Sequence, residues 1–340
     1  MYIKIGDCGW SIGDTGLGNR IQLWSVAYEL NKYNNFTHTI VVEKKMWKEI
    51  KFLDFPHTIY SDSKFHELQN LDVVDSKKDW LVKLDNKDYF IKSPTHFDWP
   101  PYEPHENFYS KWVHKIKLRD KKLKKIIKDK VKDRIGIHIR HWPVIDPDNP
   151  FQSYSQYFTE PEDIERFDYK GKMKKVKDVL NEYQGEKFYI SSDVTFDKPS
   201  TGPLLPNFRK KEQWLSEIFS SNDIIDYRDI LDMDDMSLHD MIDWSNGNIV
   251  RDNKNPKWLR KVNIDDEGRY NYKLMMNSKN TTSTTYEDFI SNLYDLKVKR
   301  DIVDLFSLIY SKEFVHSKKT GPISSWSDYV MNYRNKIWQE

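Results

Sequence analysis

The spacing of apolar residues changes character several times along the first forty positions. Tyr2-Ile-Lys-Ile5 is a short strand-like run, and a stretch carrying Gly6, Gly9, Gly13, Gly16 and Gly18 follows it. Over 20–32, Leu23, Trp24, Ala27 and Leu30 recur at helical spacing, and the β-branched run His38-Thr-Ile-Val-Val42 predicts the next strand. Strand, glycine loop, helix and strand in that order predict an α/β fold.

The segment between Trp80 and Tyr109 is dense in Pro, Asp, His and aromatic residues without a period, so irregular surface or acceptor-facing loops are expected there. Residues 115–132 are strongly basic, yet Leu123, Ile126, Ile127 and Val131 keep a stripe at helical spacing, which predicts a solvated amphipathic helix. Beyond it the pattern predicts a strand over 134–140, a helix around 173–183, and strands at 187–193 and 223–226. The polar stretch near 244–280 is expected to be an insertion. Ile302, Leu305, Phe306 and Ile309 mark a helix over 301–310, with a strand at 313–317 and a last helix at 325–338.

A length of 340 residues suits two domains. The basic helix is the expected boundary, giving lobes of 1–115 and 116–340. The 54 basic and 53 acidic residues nearly cancel, so no global field marks a nucleic-acid or membrane-surface binder. Asp120, Asp129 and Asp133 dilute the basic helix, and no nucleic-acid partner is expected. The single cysteine, Cys8, removes intrachain disulfides and thiolate metal clusters. The sequence as written has neither an apolar leader nor a run long enough to span a bilayer, so a cytoplasmic protein without a transmembrane segment is expected.

Candidate chemistry begins in Arg134-Ile-Gly-Ile-His-Ile-Arg140. A pleated strand there would turn Ile135, Ile137 and Ile139 to one face and Gly136, His138 and Arg140 to the other, predicting a core face and a site face. Ligands of open α/β sheets gather beyond the carboxyl ends of strands, where Arg140 lies, and its guanidinium fork can hold two phosphate oxygens. Taken alone, Arg140 and His138 read as ordinary fold residues, a surface arginine and a satisfied core histidine. The second element is Gly16-Leu-Gly-Asn-Arg20, where glycines allow close backbone approach and a helix N-terminus follows. Ile21 stands where a dinucleotide-binding fingerprint needs its third glycine, and no Gly-Lys-Ser/Thr follows, so both standard phosphate loops are excluded.

Together, Gly16-Leu-Gly-Asn19 and His138-Ile-Arg140 resemble the fucosyltransferase superfamily of the nodulation-type, core α1,6- and protein O-fucosyltransferases. Two more segments fit that resemblance in the same order: Tyr189-Ile-Ser-Ser-Asp193, and Asp304-Leu-Phe-Ser-Leu-Ile followed by Phe314-Val-His-Ser and Ser324-Ser-Trp-Ser327. The resemblance implies the GT-B arrangement, two Rossmann-like lobes whose parallel sheets face across a cleft, with the acceptor on the first lobe and a nucleotide-sugar donor on the second. It further implies that Arg140 binds the donor β-phosphate, His138 and Asp304 the nucleoside, Asn19 the phosphate or sugar, and Ser324 or Ser325 the diphosphate. Gly16, Gly18, Arg20 and Asp193 complete the expected donor-binding set. The chain departs from many relatives at His141, where they carry a second arginine, and its spacing from Phe314 to Ser324 is longer, which leaves Ser317 or Thr320 as alternatives for the phosphate contact.

The activity so implied is inverting, metal-independent transfer of fucose from GDP-fucose to a glycan hydroxyl, with no cofactor beyond the donor. Asp146 and Asp148, just past Arg140, are candidates for the base, although an Asp- and Pro-rich turn explains them equally. Two other readings remain open. Asp232-Met-Asp234 could chelate a divalent ion in a metal-dependent glycosyltransferase using another nucleotide sugar, and the fold could serve a non-catalytic carbohydrate-binding protein.

Overall fold

The computed structural model describes residues 1–6, 17–44, 47–75, 81–92, 111–139, 169–192, 222–231, 286–320 and 325–337. The chain forms two compact units, Met1–Lys125 with Asp328–Glu340, and Ile126–Ser327. The expected boundary at 115/116 thus differs from the observed one, which falls inside a helix, and the last residues return to the first unit. Local pattern marks a polar helix but cannot tell which unit each of its turns packs with.

The first unit opens with β1 (Tyr2–Ile5), α1 (Leu17–Tyr33) and β2 (Thr39–Val42), close to the elements expected. Then come β3 (Leu53–Asp54), β4 (Thr58–Tyr60), α2 (Asp62–Glu67), β5 (Asp72–Asp75), β6 (Tyr89–Lys92) and β7 (Lys117–Leu118). Five strands make a wholly parallel sheet in the order β4-β2-β1-β6-β5, while β3 and β7 form a separate antiparallel pair. Ile3, Ile5, Ile40, Val41, Val42 and Ile91 are fully buried, as strands covered on both faces require.

β6 corrects the expectation of irregular loops between Trp80 and Tyr109, since Tyr89-Phe-Ile-Lys92 pairs with both β1 and β5. Tyr89 and Ile91 are buried and Phe90 partly so, but a run of four residues is too short to show a period that a sequence reading could find. The basic segment is likewise shorter as a helix than expected: α3 is Lys121–Val131, preceded by a 3-10 turn at Val113–Lys115 and by β7. Its stripe does pack inward, with Leu123, Ile127 and Val131 buried.

The second unit contains β8 (Arg134–Ile139), α4 (Tyr169–Glu182), β9 (Lys187–Ser192), β10 (Ile224–Ile225), α5 (Tyr227–Leu231), α6 (Tyr286–Tyr310), β11 (Glu313–Val315) and α7 (Ser317–Thr320). The final helix, α8 (Ser325–Ile337), begins here. The four strands are parallel, in the order β10-β9-β8-β11. α/β class and parallel sheets therefore hold in both units. The expected insertion near 244–280 lies outside the described residues.

One face of this sheet is the expected core. Ile135, Ile137 and Ile139 cluster with Phe188, Ile190 and Val315, and with Val176, Val179 and Leu180 of α4. The other face is not an open site along its length, which corrects the simple reading of the alternation. A Cβ on Gly136 would stand 2.6 Å from Ser311 Oγ and 3.2 Å from Leu308 Cδ2, so α6 and the turn after it press directly on that glycine. α6 is also longer than the expected 301–310. Every residue from Ile302 to Ile309 is buried, the signature of a helix covered on all sides rather than along one stripe.

Candidate functional site

The order of the strands places the candidate site. In the second unit the chain steps outward from β8 to β9 and β10, then returns to the opposite side of β8 as β11. The reversal between β8 and β11 is the place where open α/β sheets bind ligands beyond their strand ends. His138 is the next-to-last residue of β8, and His316 and α7 follow β11 directly.

Three segments meet there. His138, 3 % exposed, shares a 2.8 Å hydrogen bond between its Nδ1 and the Ser327 Oγ in the first turn of α8. The backbone N–H of Ser317, opening α7, donates to the same Ser327 Oγ at 3.1 Å. Ser317 and Ser327 are both fully buried, and Lys318 N–H donates to His316 Nδ1 at 3.1 Å. One hydroxyl thus ties the end of β8 to the turn after β11.

Deeper on the same sheet face lies Asp304. In the parallel register Gly136 pairs with Tyr189 and His138 with Ser191, so these four residues share a face. The Tyr189 hydroxyl donates to Asp304 Oδ1 at 2.5 Å. Arg300, one helical turn earlier, places Nε 3.8 Å from Asp304 Oδ2 and its guanidinium 5.2 Å from the Tyr227 ring centroid. Burial pushes the Asp304 carboxyl up to about 7, against the opposing pull of Arg300 and of the Tyr189 hydrogen bond. The same burial, with Asp304 beside it, raises the Tyr189 phenol well above its ordinary value. Asp226, also buried, opens α5 with its N–H bonded to Asp229 Oδ2 at 2.9 Å, half of a capping box.

In the first unit the reversal of strand order lies at β1, between β2 and β6, and the glycine-bearing stretch leaves from the end of that strand. A Cβ on Gly6 would come within 3.2 Å of the Phe90 ring. Gly18 sits in the first turn of α1, where its carbonyl accepts from the Tyr329 hydroxyl at 3.1 Å. Arg20 directs Nε and Nη2 at Oε1 of Glu49, a fully buried carboxylate in the 3-10 turn Lys48–Lys51, so this guanidinium already has an anionic partner.

Of the expected site residues, Gly16, Arg140, Asp146, Asp148, Asp193 and Ser324 lie outside the described residues, as do Asp232, Asp234 and His141. Asn19 and Ser325 fall within α1 and α8, but their side chains lie outside the described set. His138 and Asp304 are brought onto one unit and one sheet face. Ser327, Tyr189 and Arg300 were not singled out by the sequence reading. Ser327 and Tyr189 stand inside segments it quoted, and the i,i+4 spacing of Arg300 and Asp304 was a usable signal. Among the described residues, no helix is long and apolar enough to cross a membrane.

No family model matches the chain, and no sequence relative is found among characterised proteins. Among solved structures, two crystal structures of the fucosyltransferase NodZ from Bradyrhizobium are similar, one of them in selenomethionine form. Each has a TM-score of 0.47 at 10% identity, covering 97% of this chain and 91% or 92% of the other. That is a likeness of chain course only; what this chain binds and does is argued from its own residues.

Proposed function

We propose that this chain is a glycosyltransferase that takes a nucleotide-sugar donor on its second unit, and specifically that it transfers fucose from GDP-fucose to a glycan hydroxyl with inversion and without a metal. The observation that carries the reading is the meeting of the His-x-Arg strand with the segment after β11 at the reversal of strand order, tied through His138, Ser327 and Ser317. Two segments that the sequence resemblance assigns to one donor site thereby adjoin one another at the place where such sheets bind nucleotides.

The chemistry follows from charge. As the sugar–phosphate bond breaks, the diphosphate gains negative charge while the sugar becomes oxocarbenium-like. Arg140, next in the chain after β8, is a fork-shaped donor suited to the β-phosphate oxygens and stabilises that charge most at the transition state. Asp146 or Asp148 accepts the proton of the attacking hydroxyl, and attack opposite the leaving group inverts the anomeric centre. Asp304 and His138 are assigned to the nucleoside.

A thermal-shift comparison of GDP, UDP, ADP and dTDP, with and without magnesium, tests the donor class; GDP is expected to raise the melting temperature most, equally in EDTA. Arg140→Ala is expected to lower GDP-fucose consumption about a hundredfold or more while the protein stays folded. Equal turnover by that variant overturns the assignment. Activity lost in chelator points instead to Asp232 and Asp234, and tight nucleotide binding with no turnover by the unmodified protein to a carbohydrate-binding role.

A further inference from the structure

We propose that α3 presents a docking face for an anionic lipid surface, on which Lys121, Lys122, Lys125, Lys128 and Lys132 hold the chain against acidic headgroups by charge alone. The proposal stands apart from the donor reading above.

The helix has one dry side and one charged side. Leu123, Ile127 and Val131 are buried against the protein, while Lys121, Lys125, Lys128 and Lys132 recur at i, i+4, i+7 and i+11 on the opposite side. All four are exposed, as is Lys122 beside them. Lys132 stands one residue past α3, yet its N–H donates to the Lys128 carbonyl at 3.0 Å, so the stripe is continuous. It runs about 16 Å along the helix axis. Between 121 and 132 the chain has seven lysines and one acid, Asp129, with Asp120 and Asp133 just beyond either end. Asp120 is occupied as the cap, its Oδ1 accepting from the Lys122 and Leu123 N–H groups at 2.9 and 3.0 Å.

Solvation alone does not account for this arrangement. Like charges four residues apart repel, as Lys121 and Lys125 do and again Lys128 and Lys132, and lysines in the first turn oppose the helix dipole. Elsewhere the chain relieves such charge with a carboxylate: Lys174 pairs with Asp178, Lys312 with Glu186 and Lys319 with Glu182. Among the described residues, no carboxylate stands within ion-pair distance of the five stripe lysines, and Lys128 lies 4.7 Å from the Tyr310 ring centroid instead. A negative surface laid over the stripe removes that repulsion.

The same residues select the partner. Lysine ammonium groups are compact, hydrated charges without the planar fork that arginine offers to a single phosphate. α3 carries no arginine and no aromatic ring, the groups that nucleic-acid binders use to read base edges and to stack on bases. A straight row of point charges on a convex helix has no pocket to enclose one anion, and it fits an extended, diffuse negative surface. Because the apolar stripe is turned into the protein, the attraction is electrostatic and falls with salt.

Full-length protein mixed with vesicles of phosphatidylcholine, either alone or with about a third phosphatidylserine, tests this by sedimentation. Binding is expected to the acidic vesicles only, and to weaken about tenfold or more between about 50 and about 500 mM salt. Combining Lys121→Gln, Lys125→Gln, Lys128→Gln and Lys132→Gln is expected to lower the affinity about a hundredfold. The melting temperature of that variant should not fall, since repelling pairs are lost. Two paired variants, Lys121→Gln with Lys125→Gln and Lys128→Gln with Lys132→Gln, are each expected to lose about tenfold, and they decide the matter if the combined variant does not fold. Lys174→Gln, Lys175→Gln and Lys177→Gln together, on the exposed side of α4, should leave binding nearly unchanged. No binding to acidic vesicles, equal binding to neutral ones, or an equal loss in the α4 variant overturns the proposal. Capture of duplex DNA under conditions where vesicles are not bound overturns it in favour of a nucleic acid.

Discussion

Each unit buries an arginine against a carboxylate, and the two pairs are built differently. In the first unit Arg20 closes directly on Glu49 with two nitrogens, the carboxylate is fully buried, and the guanidinium is 11% exposed. In the second, Arg300 stands 3.8 Å from Asp304, and the other carboxylate oxygen is held by a neutral phenol, Tyr189. Direct contact offsets the cost of removing two charges from water, and the looser arrangement offsets it only in part. Burial accordingly pushes Asp304 up to about 7. The first pair is a fixed strut between α1 and its neighbouring turn. The second is a carboxyl that changes charge near neutral pH, on the sheet face that also carries His138.

The largest effect expected on this comparison is from Glu49→Ala, which leaves Arg20 charged and unpartnered inside the first unit; a loss of about 3–5 kcal/mol by urea denaturation is expected. Replacing both partners by Met and Leu should recover most of that loss. If it does not, the strut does more than neutralise itself.

The second effect is a pH dependence carried by Asp304. Its folded pKa is raised above the ordinary 3.8, so between that value and about 7 the folded state holds a proton that the unfolded state lacks. The stability contributed is fully present below the lower value and is lost as pH rises through about 7. From pH 5 to pH 8 the unmodified protein should lose on the order of 2–3 kcal/mol relative to Asp304→Asn, which has no charge to bury. Parallel stability curves for the two proteins would erase the distinction between the pairs. The smallest effect is expected from Tyr189→Phe: about 1–2 kcal/mol at pH 7. Because the Tyr189 hydrogen bond opposes the raised pKa, its removal should also shift the midpoint of that pH dependence upward.

Much of this was legible in one dimension. The strands at Tyr2–Ile5, Thr39–Val42, Arg134–Ile139 and Lys187–Ser192, and the helix stripe through Leu23, Trp24, Ala27 and Leu30, follow from local period alone. β6 did not, because its four residues are too short a run to show a period. The core face of β8 was foreseen, but the packing of Ser311 and Leu308 onto Gly136 was not, since the partner lies some 170 residues on in sequence. His138 and Asp304 were picked out by their motifs. The partners that define them, Ser327 and Tyr189, were read only as members of those motifs.

By itself, the sequence determined the α/β class and the order of the elements, because apolar period is a local property of the chain. It also supplied the set of motifs from which a nucleotide-sugar enzyme is proposed. Tertiary structure alone decided the strand order, and with it the reversal between β8 and β11. It alone decided that Arg20 is spoken for by Glu49, that Asp304 is buried deeply enough to titrate near neutral pH, and that a serine 189 residues away holds the ring of His138. Each of these depends on which distant groups share a small volume without water, and that is set by packing rather than by any local pattern.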